Sequence, residues 1–203
     1  MGAIKRFFRW LFTPSAKLSV FVLLIIGLGA GAVGVIGTQV MVHQTGTVAF
    51  CGGACHSMQA FTLPEYKESV HFSNKTGIKA SCSDCHIPHS YPQVLFYKAQ
   101  AGIRDVYHEI AGTVSTQEKY DKERWRMANK VWDEMKANNS ANCRTCHDPM
   151  QMALSKQSAM AQKMHVQVQQ GKATCIDCHR GVAHKEPEEP AEPEQPAKQA
   201  QSN

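Results

Sequence analysis

The chain has 203 residues, of which 43% are hydrophobic and 19% are charged, and its formal net charge at pH 7 is +5. The charge is unevenly distributed, because residues 1–17 carry +4, residues 185–203 carry −3 and the segment between them carries +4. A net charge this small, distributed this unevenly along the chain, gives no indication of a nucleic-acid partner.

The first element predicted along the chain is a membrane-spanning helix over residues 18–42. This stretch contains no charged residue, and a membrane span needs about 20 predominantly apolar residues. Basic residues precede it and no acidic residue occurs before Glu65, so the positive-inside rule predicts a cytoplasmic basic arm over residues 1–17, with the rest of the chain on the far side. The basic residues of the arm are Lys5, Arg6, Arg9 and Lys17.

A cleaved signal peptide is the alternative to a retained signal-anchor. The apolar run is too long for a signal peptide, and no clear small-x-small cleavage site follows it before Thr45. Within the span, Gly27 and Gly31 have the spacing of a helix-packing face. Glycine is common in such helices in any case, so a homodimer is left open.

All eight cysteines lie in four pairs, and a histidine follows the second cysteine of every pair. Cys-x-x-Cys-His is the attachment sequence of c-type haem, in which the two thiols bind the porphyrin and the adjacent histidine coordinates iron. Four copies predict a tetrahaem cytochrome and therefore electron transfer. The motifs are Cys51/Cys55/His56, Cys82/Cys85/His86, Cys143/Cys146/His147 and Cys175/Cys178/His179.

A disulfide framework and zinc sites explain this pattern less well. Disulfides require no histidine after each second cysteine, and zinc-binding histidines normally lie in a separate downstream cluster. The propionates of bound haem would also reduce the positive charge of the domain, which further weakens a nucleic-acid interpretation.

The first motif departs from the rule, because three residues separate Cys51 from Cys55. One interpretation is that this pair has lost its haem and forms a disulfide. The two glycines of the insertion favour a retained haem, since glycine allows an enlarged loop to adopt backbone angles that other residues avoid. We therefore expect four haems, with the first site as the exceptional one.

Residues 43–184 form the predicted periplasmic haem domain, because haem is attached to cysteine outside the cytoplasm. A segment this short cannot hold four haems and a large side-chain core as well. We therefore expect a mainly α fold, with short helices and loops around a compact haem cluster and little or no sheet. The motifs fall into two groups, residues 51–86 and 143–179, which suggests a duplicated two-haem unit.

One long helix is predicted between the two groups of motifs. Ser115 and Glu118 fit a capping box at its start, and Asn138–Asn139 would end it. Its methionines are expected to pack against haem rather than to bind iron. Residues at near-helical spacing mark one face, namely Tyr120, Met127, Val131 and Met135.

The last predicted segment is a disordered tail over residues 185–203. Prolines recur every three residues from Pro187 to Pro196 among glutamate and alanine. Such a composition cannot bury a core.

Several local sequences in the chain are specific enough to compare with known families. They are Cys55-His-Ser57-Met58, Cys82-Ser-Asp-Cys-His-Ile-Pro88-His89, Asn-Cys143-Arg-Thr-Cys-His and Cys175-Ile-Asp-Cys-His-Arg-Gly-Val-Ala-His184. Together with the basic arm and the single span, they resemble the NapC/NirT family of membrane-anchored tetrahaem cytochromes, which includes the NrfH-type proteins. The resemblance covers almost all of residues 1–184.

This resemblance implies a quinol dehydrogenase at the bacterial inner membrane. Such a protein would oxidise menaquinol or ubiquinol and pass electrons to a periplasmic terminal reductase or a soluble multihaem cytochrome in anaerobic respiration. The alternative is a passive electron-relay subunit without its own quinol site.

Low-spin electron-transfer haems need two strong axial ligands, so histidines outside the motifs should be recruited. The resemblance assigns three of the six such histidines. It pairs His86 with His184, His147 with His71, and His179 with His165. His43, His89 and His108 are expected not to bind iron.

The first haem differs in NrfH-type relatives, where a methionine two residues after the motif histidine binds iron and the open face lies beside an aspartate. By this resemblance Met58 would bind iron and Asp105 would accept the quinol proton. Lys98 would steady the quinol oxygen or the carboxylate charge. The extra residue in the first motif leaves open whether His56 or Met58 is the ligand.

Overall fold

The computed structural model describes residues 2–11 and 20–190. The chain divides into two units, residues 1–43 and 44–203. Three predictions made from the sequence fall partly outside the described residues: Lys17 of the basic arm, residues 18 and 19 of the predicted span, and residues 191–203 of the predicted disordered tail.

The first unit contains helices α1 (Gly2–Leu11) and α2 (Val20–Gln44). Helix α1 is amphipathic, with Lys5, Arg6 and Arg9 on one side and exposed Ile4 and Phe8 on the other. This segment belongs to the arm that precedes the predicted span.

Helix α2 has the length and composition of a membrane span. Its apolar segment Phe21–Gln44 has a mean hydropathy of 2.3, and large side chains around its circumference are exposed, as at Phe21, Val22, Leu23 and Leu24. An apolar surface on all sides is the property of a helix that lipid can surround. The helix extends two residues beyond the predicted end at residue 42.

The second unit is helical, and the part of it that the structure describes contains no β-strand, as expected from the sequence. Its α-helices are α3 (Val48–Ala54), α4 (Leu63–Glu68), α5 (Cys82–His86), α6 (Gln93–Ile110), α7 (Gln117–Ala137), α8 (Ala141–Arg144) and α9 (Ala159–Gln169). A π-helical turn, Met58–Thr62, precedes α4, and 3₁₀ turns occupy Leu154–Lys156 and Cys175–Asp177.

The side-chain core of this unit is small. Among the described residues the buried hydrophobic side chains are Tyr66, Val94, Tyr120, Trp132 and Ile176. A helical domain of this length ordinarily buries many more large apolar residues.

Helix α7 connects distant parts of the unit. Tyr120 stacks on Phe61 with ring centres 4.9 Å apart. The guanidinium of Arg124 donates to the carboxylate of Glu65 and to the carbonyl oxygen of Lys185, at 2.6 Å each. Helix α7 therefore joins the region after the first motif to the segment after the last motif.

The predicted capping box at the start of α7 is wrong. Thr116 is the N-cap residue, and its hydroxyl accepts a hydrogen bond from the backbone N–H of Lys119 at 3.3 Å. The Ser115 hydroxyl is engaged elsewhere, because it donates to the carbonyl oxygen of Gly112 at 3.0 Å. The end of the helix is as predicted: Asn138 is the C-cap and Asn139 follows with φ of 56°.

The prediction of a single long helix between the motif groups is also wrong, because α6 lies there too and has 18 residues. Pro92 precedes α6 as its N-cap residue. Phe96, Ile103 and Ile110 recur every seven residues, which is a helical repeat that the sequence does carry.

Candidate haem-binding site

The second and fourth motifs fold into similar local turns. Asp84 accepts a hydrogen bond from the backbone N–H of Ser81 at 2.6 Å, and Asp177 accepts one from that of Thr174 at 2.8 Å. Both turns are capping boxes, with the hydroxyl of Ser81 or Thr174 accepting in return. The sequence Ser/Thr-Cys-x-Asp-Cys-His therefore encodes its own turn.

The four motifs adjoin one another in chain order. The Cys51 thiol adjoins that of Cys82, and the Cys143 thiol adjoins that of Cys175. The interaction with Cys82 lowers the pKa of Cys51 to about 7. Burial raises the pKa of Cys85 to about 11, and the charge of Cys143 acts in the same direction, which places the second motif beside the third.

The thiols of the four motifs differ in their exposure. Cys146 and Cys178 are exposed, whereas the other six cysteines are half-buried.

The position of these two cysteines in their motifs explains the exposure. Each is the second cysteine of its pair and follows a helical turn: Cys178 is the C-cap of Cys175–Asp177, and Cys146 comes directly after Thr145, the C-cap of α8. The first cysteines, Cys143 and Cys175, lie within those turns and contact each other. One thiol of each of these two motifs thus lies within a helical turn and the other follows it, and the two together would hold the porphyrin of that motif.

Three motif histidines face a second imidazole. The ring centres are 6.2 Å apart for His71 and His147, 6.3 Å for His86 and His184, and 6.0 Å for His165 and His179. These are the three pairs that the sequence resemblance implies. Each pair joins side chains that are separated in the chain, so the fold brings them together.

The separation of the rings fits a metal between them. An imidazole nitrogen binds a metal at about 2 Å and lies about 1.1 Å from its ring centre, so two rings on one metal have centres about 6.2 Å apart. In residues 2–11 and 20–190 no group of three or more His, Cys, Asp or Glu could hold a lone metal ion. Each pair instead offers two ligands, the number that haem iron takes in addition to its porphyrin.

Hydrogen bonds orient two of the rings. The Nδ1 atom of His71 lies 3.2 Å from the carbonyl oxygen of Val182, and that of His165 lies 2.6 Å from the side-chain oxygen of Gln157. A bond at Nδ1 leaves Nε2 of the neutral ring available to a metal.

The pair of His86 and His184 is held in its neutral form by its surroundings. Desolvation lowers the pKa of His184 to about 4 and also lowers that of His86. The Nδ1 atom of His184 is buried and has no hydrogen-bond partner in the described part of the chain. A cavity of about 240 Å³ adjoins His86, and Val131 and Met135 of the predicted α7 face line it.

Tyr66 supports this pair, although sequence reasoning did not identify it. Its ring centre lies 6.4 Å from that of His184, and its hydroxyl donates to the carbonyl oxygen of Ala80. Burial raises the pKa of Tyr66 to about 12, so the phenol stays neutral and keeps donating.

The histidines expected not to bind iron have other surroundings. His43 lies in the last turn of α2. The His89 ring contacts the carbonyl oxygen of Asp84 at 3.3 Å, and the His108 ring contacts the hydroxyl of Thr113 at 3.1 Å.

The first motif is built on helix α3, and this explains its longer spacing. Cys51 lies within α3 and Cys55 is the C-cap residue, so the two thiols are four positions apart on adjacent turns. The predicted unusual backbone angles of the two glycines are wrong, because both residues are helical. Gly52 is instead needed for close packing, since a Cβ there would lie 3.0 Å from the methyl carbons of Leu63.

Lys98 and Asp105, both on α6, act on the first motif. The Lys98 ammonium donates to the Thr45 hydroxyl at 2.9 Å, and its charge lowers the pKa of Cys51. The Asp105 carboxylate helps to raise the pKa of Cys55, after burial and Glu109. Asp105 itself is 60% exposed and pairs with Arg104 at 2.9 Å.

Glu109 is the carboxylate that sequence reasoning missed. It accepts hydrogen bonds from the backbone N–H and the hydroxyl of Ser57, at 3.2 and 2.5 Å, and so fixes the turn between His56 and Met58. The Ser57 hydroxyl lowers the pKa of Glu109. Glu109 lies one helical turn after Asp105, but only the position of α6 reveals its contact with a residue 52 positions earlier.

A cavity of about 220 Å³ adjoins this turn. His56, Phe61, His108 and Glu109 line it, whereas Asp105 and Lys98 do not. His56 is exposed and Met58 is half-buried. The structure therefore brings the predicted residues to the first motif but does not place all of them around one cavity.

Sequence comparison now decides the family. The NapC/NirT cytochrome c family, N-terminal region, matches residues 13–189. The chain belongs to this family. A putative tetraheme cytochrome-c type protein of Allochromatium vinosum is 45% identical over 172 residues, which cover 84% of this chain and 92% of that protein. NapC of Escherichia coli K12 is 40% identical over 187 residues, 92% of each chain.

A solved structure is also similar to this NapC/NirT chain. It is a chain from the crystal structure of the cytochrome c nitrite reductase NrfHA complex bound to the HQNO inhibitor, with a TM-score of 0.45 and 27% identity. The match covers 79% of this chain and 88% of that chain.

Members of the NapC/NirT family are membrane-anchored multihaem electron-transfer proteins that link quinol to periplasmic reductases. The protein is accordingly a tetrahaem c-type cytochrome with covalently bound haem. The four Cys/His motifs and the three facing imidazole pairs fit this cofactor by their donor set and by their spacing.

Proposed function

We propose that this cytochrome is a quinol dehydrogenase, which oxidises membrane quinol at the first motif and passes the electrons to a periplasmic reductase or soluble multihaem carrier. One observation carries the proposal. Among the described residues, His56 is the motif histidine without a facing imidazole, and it lines a cavity together with Glu109, while Lys98 and Asp105 act on the cysteines of the same motif.

The proposed axial ligands follow from the difference between the three motif histidines that face an imidazole and His56, which does not. His86 with His184, His147 with His71, and His179 with His165 would hold three haems by two axial imidazoles each. The first haem would take one ligand from the turn of His56 and Met58. When bound, these haems supply one-electron redox chemistry, and the adjoining motifs support transfer along the chain order.

The residues around the first motif have separate roles in this proposal. Oxidation of a quinol to a quinone releases two electrons and two protons. The exposed Asp105 carboxylate would accept a proton and pass it to water. Lys98 would hold a quinol oxygen or balance the carboxylate charge. Glu109 is a positioning residue, because its hydrogen bonds to Ser57 fix the turn that carries the ligand.

The proposal also includes the orientation of the protein in the membrane. The basic residues of α1 would remain in the cytoplasm, and the haem domain would lie in the periplasm. Quinol in the bilayer and reductases in the periplasm would then meet the protein on the same side of the membrane.

The test is the Asp105→Asn variant, which keeps the size of the side chain but removes the base. Quinol-dependent reduction of the haems should fall by roughly 10²-fold, the scale of losing a positioned general base. Reduction by dithionite should be unchanged because it needs no proton acceptor. Lys98→Ala should have a smaller effect, mainly on the apparent affinity for quinol.

Asp133→Asn is the matched control, because Asp133 is an exposed carboxylate of α7 outside the proposed site. It should oxidise quinol at the normal rate. If Asp105→Asn did so too, the passive electron relay would be the better account of the protein.

A further inference from the structure

A short loop after the fourth motif serves two of the three imidazole pairs. Residues 181–185, called here the 181–185 loop, contain neither helix nor strand. His184 of this loop faces His86, with ring centres 6.3 Å apart. The carbonyl oxygen of Val182 lies 3.2 Å from Nδ1 of His71, which is a ring of a different pair. The loop therefore supplies one ring and orients another.

The 181–185 loop has no regular backbone structure that would hold it in place. Within the described part of the chain, it makes no backbone-to-backbone hydrogen bond. Fixing the backbone of a free segment costs conformational entropy at every residue. Side chains from other elements must therefore fix the loop if its two groups are to stay in position.

Glu65 of α4 and Arg124 of α7 fix the loop at Lys185. The Glu65 carboxylate accepts a hydrogen bond from the backbone N–H of Lys185 at 3.0 Å. The Arg124 guanidinium donates to the carbonyl oxygen of Lys185 and to Glu65, at 2.6 Å each. Both backbone groups of the residue next to His184 are therefore bound by one ion pair.

The pair of Glu65 and Arg124 is largely enclosed by the protein. Its side chains are 14% and 17% exposed, so solvent and salt screen it less than a surface pair. Hydrogen bonds that involve a charged group are about twice as strong as those between neutral groups. Breaking such a pair leaves the remaining charge without its partner. The enclosure and the charge of these contacts fit a role in holding the loop.

The 181–185 loop also folds back on itself. Gly181 has φ of 69°, and a Cβ there would lie 3.5 Å from the carbonyl oxygen of His184. Glycine is suited to this left-handed backbone conformation. Because the turn is closed, a displacement of Lys185 moves Val182 as well, and with it the acceptor that orients the ring of the other pair.

The pair of His165 and His179 is held without this loop. Nδ1 of His165 lies 2.6 Å from the side-chain oxygen of Gln157, and the Gln162 amide donates to the carbonyl oxygen of Gln157 at 2.9 Å. The backbone N–H of His179 donates to the carbonyl oxygen of Cys175, within its own motif, at 2.9 Å. Loosening of the loop should therefore leave this pair in place.

We propose that Glu65 and Arg124 are positioning residues, which hold the 181–185 loop and so set the axial imidazoles of the second and third haems together. The second haem depends on them directly, through His184. The third depends on them indirectly, through the hydrogen bond that orients His71, and the fourth does not depend on them. This role rests on the axial ligands of the proposed function, but it is independent of quinol oxidation.

Carbon monoxide is the probe for this role, because it binds a haem with two axial imidazoles only after one of them has dissociated. The full-length holoprotein is reduced with dithionite and mixed with carbon monoxide in a stopped-flow instrument. The slow phases are assigned to the second, third and fourth haems with His184→Ala, His71→Ala and His165→Ala, since each variant should move its own haem into the fast phase.

Arg124→Met keeps the apolar stem of the side chain and removes its donors. Carbon monoxide should then bind the second haem faster by roughly tenfold or more, the scale of losing a hydrogen bond to a charged group. The third haem should show a smaller increase and the fourth none. Arg124→Lys keeps the charge and a donor, so its increase should be smaller, and it supplies the measurement if Arg124→Met does not retain its haems.

Arg126→Met is the matched control, because Arg126 also lies on α7 but is 66% exposed and pairs with Glu123 at 2.7 Å. It should leave every phase unchanged. Unchanged phases in Arg124→Met and Arg124→Lys would overturn the proposal. Equal acceleration of all three haems would also overturn it, since that result would show a general loosening of the domain.

The same variants separate this proposal from the proposed function. If His184→Ala and His71→Ala left their haems in the slow phases, the axial ligands would be wrong and the positioning role would be overturned with them. If both variants opened their haems and Arg124→Met did not, the positioning role alone would be refuted. Normal quinol oxidation by Asp105→Asn would refute the quinol dehydrogenase and leave the role of Glu65 and Arg124 standing.

Discussion

The proposed axial ligands can be tested one residue at a time. His71→Ala, His165→Ala and His184→Ala should each convert one haem from low spin to high spin, because each removes one strong axial ligand. The measurement is the electron paramagnetic resonance and optical spectrum of each variant. His89→Ala and His108→Ala are the matched controls. A high-spin signal from either control would show that the pairing is wrong.

The two glycines of the first motif differ in their surroundings, and this predicts opposite effects. Gly52→Ala places a Cβ 3.0 Å from the Leu63 methyl carbons, and such overpacking costs about 1–3 kcal/mol. Gly53 has nothing within 4 Å of a Cβ, so Gly53→Ala should stabilise helix α3 by about 0.5–1 kcal/mol.

Chemical denaturation of the holoprotein and its haem content measure both variants. Gly52→Ala should lower the midpoint and reduce occupancy of the first haem site. Equal midpoints for the two variants would contradict the packing role of Gly52.

Capping decides where α7 begins, and the sequence offers two adjacent candidates. Thr116→Ala should destabilise the protein by about 1 kcal/mol, because the Thr116 hydroxyl accepts from Lys119 N–H. Ser115→Ala should cost less than about 0.5 kcal/mol, as for an exposed site away from the cap. Urea unfolding of both variants is the measurement. A larger loss of stability in Ser115→Ala than in Thr116→Ala would show that Ser115 is the N-cap residue.

At the level of elements, features set by neighbouring residues could be predicted from the sequence, whereas contacts between residues distant in the sequence could not. The end of α7 at Asn138 and the all-helical character follow from residues close in sequence. The start of α7 was displaced by one residue because Ser115 and Thr116 carry equivalent hydroxyls and only one can cap. The contact of Glu109 with Ser57 has no spacing signal, since it arises from the packing of α6 beside the first motif.

The haem motifs could be predicted from the sequence because two cysteines and a histidine on one turn form a local pattern that does not depend on tertiary structure. The histidines outside the motifs could not be paired from spacing. Only the family resemblance predicted that His71 pairs with His147 and His184 with His86. The role of the two glycines of the first motif was predicted wrongly for a similar reason, because the packing of Gly52 against Leu63 is apparent only in the folded structure.

The whole molecule should carry four haems on an uncleaved chain. The intact mass should exceed that of the 203-residue polypeptide by four haem groups. A mass with three haems would show that the Cys51/Cys55 motif is empty. A product beginning near residue 40 would show that the span is cleaved as a signal peptide.

The small side-chain core ties the survival of the protein to the supply of its cofactor. With few buried apolar residues in the described part of the domain, the polypeptide alone has little to offset the entropy of ordering its backbone. We therefore expect folding to be coupled to haem attachment, so that a chain with empty motifs is more open to proteolysis than the holoprotein. Cellular amounts of the protein should then follow the supply and attachment of haem rather than transcription alone.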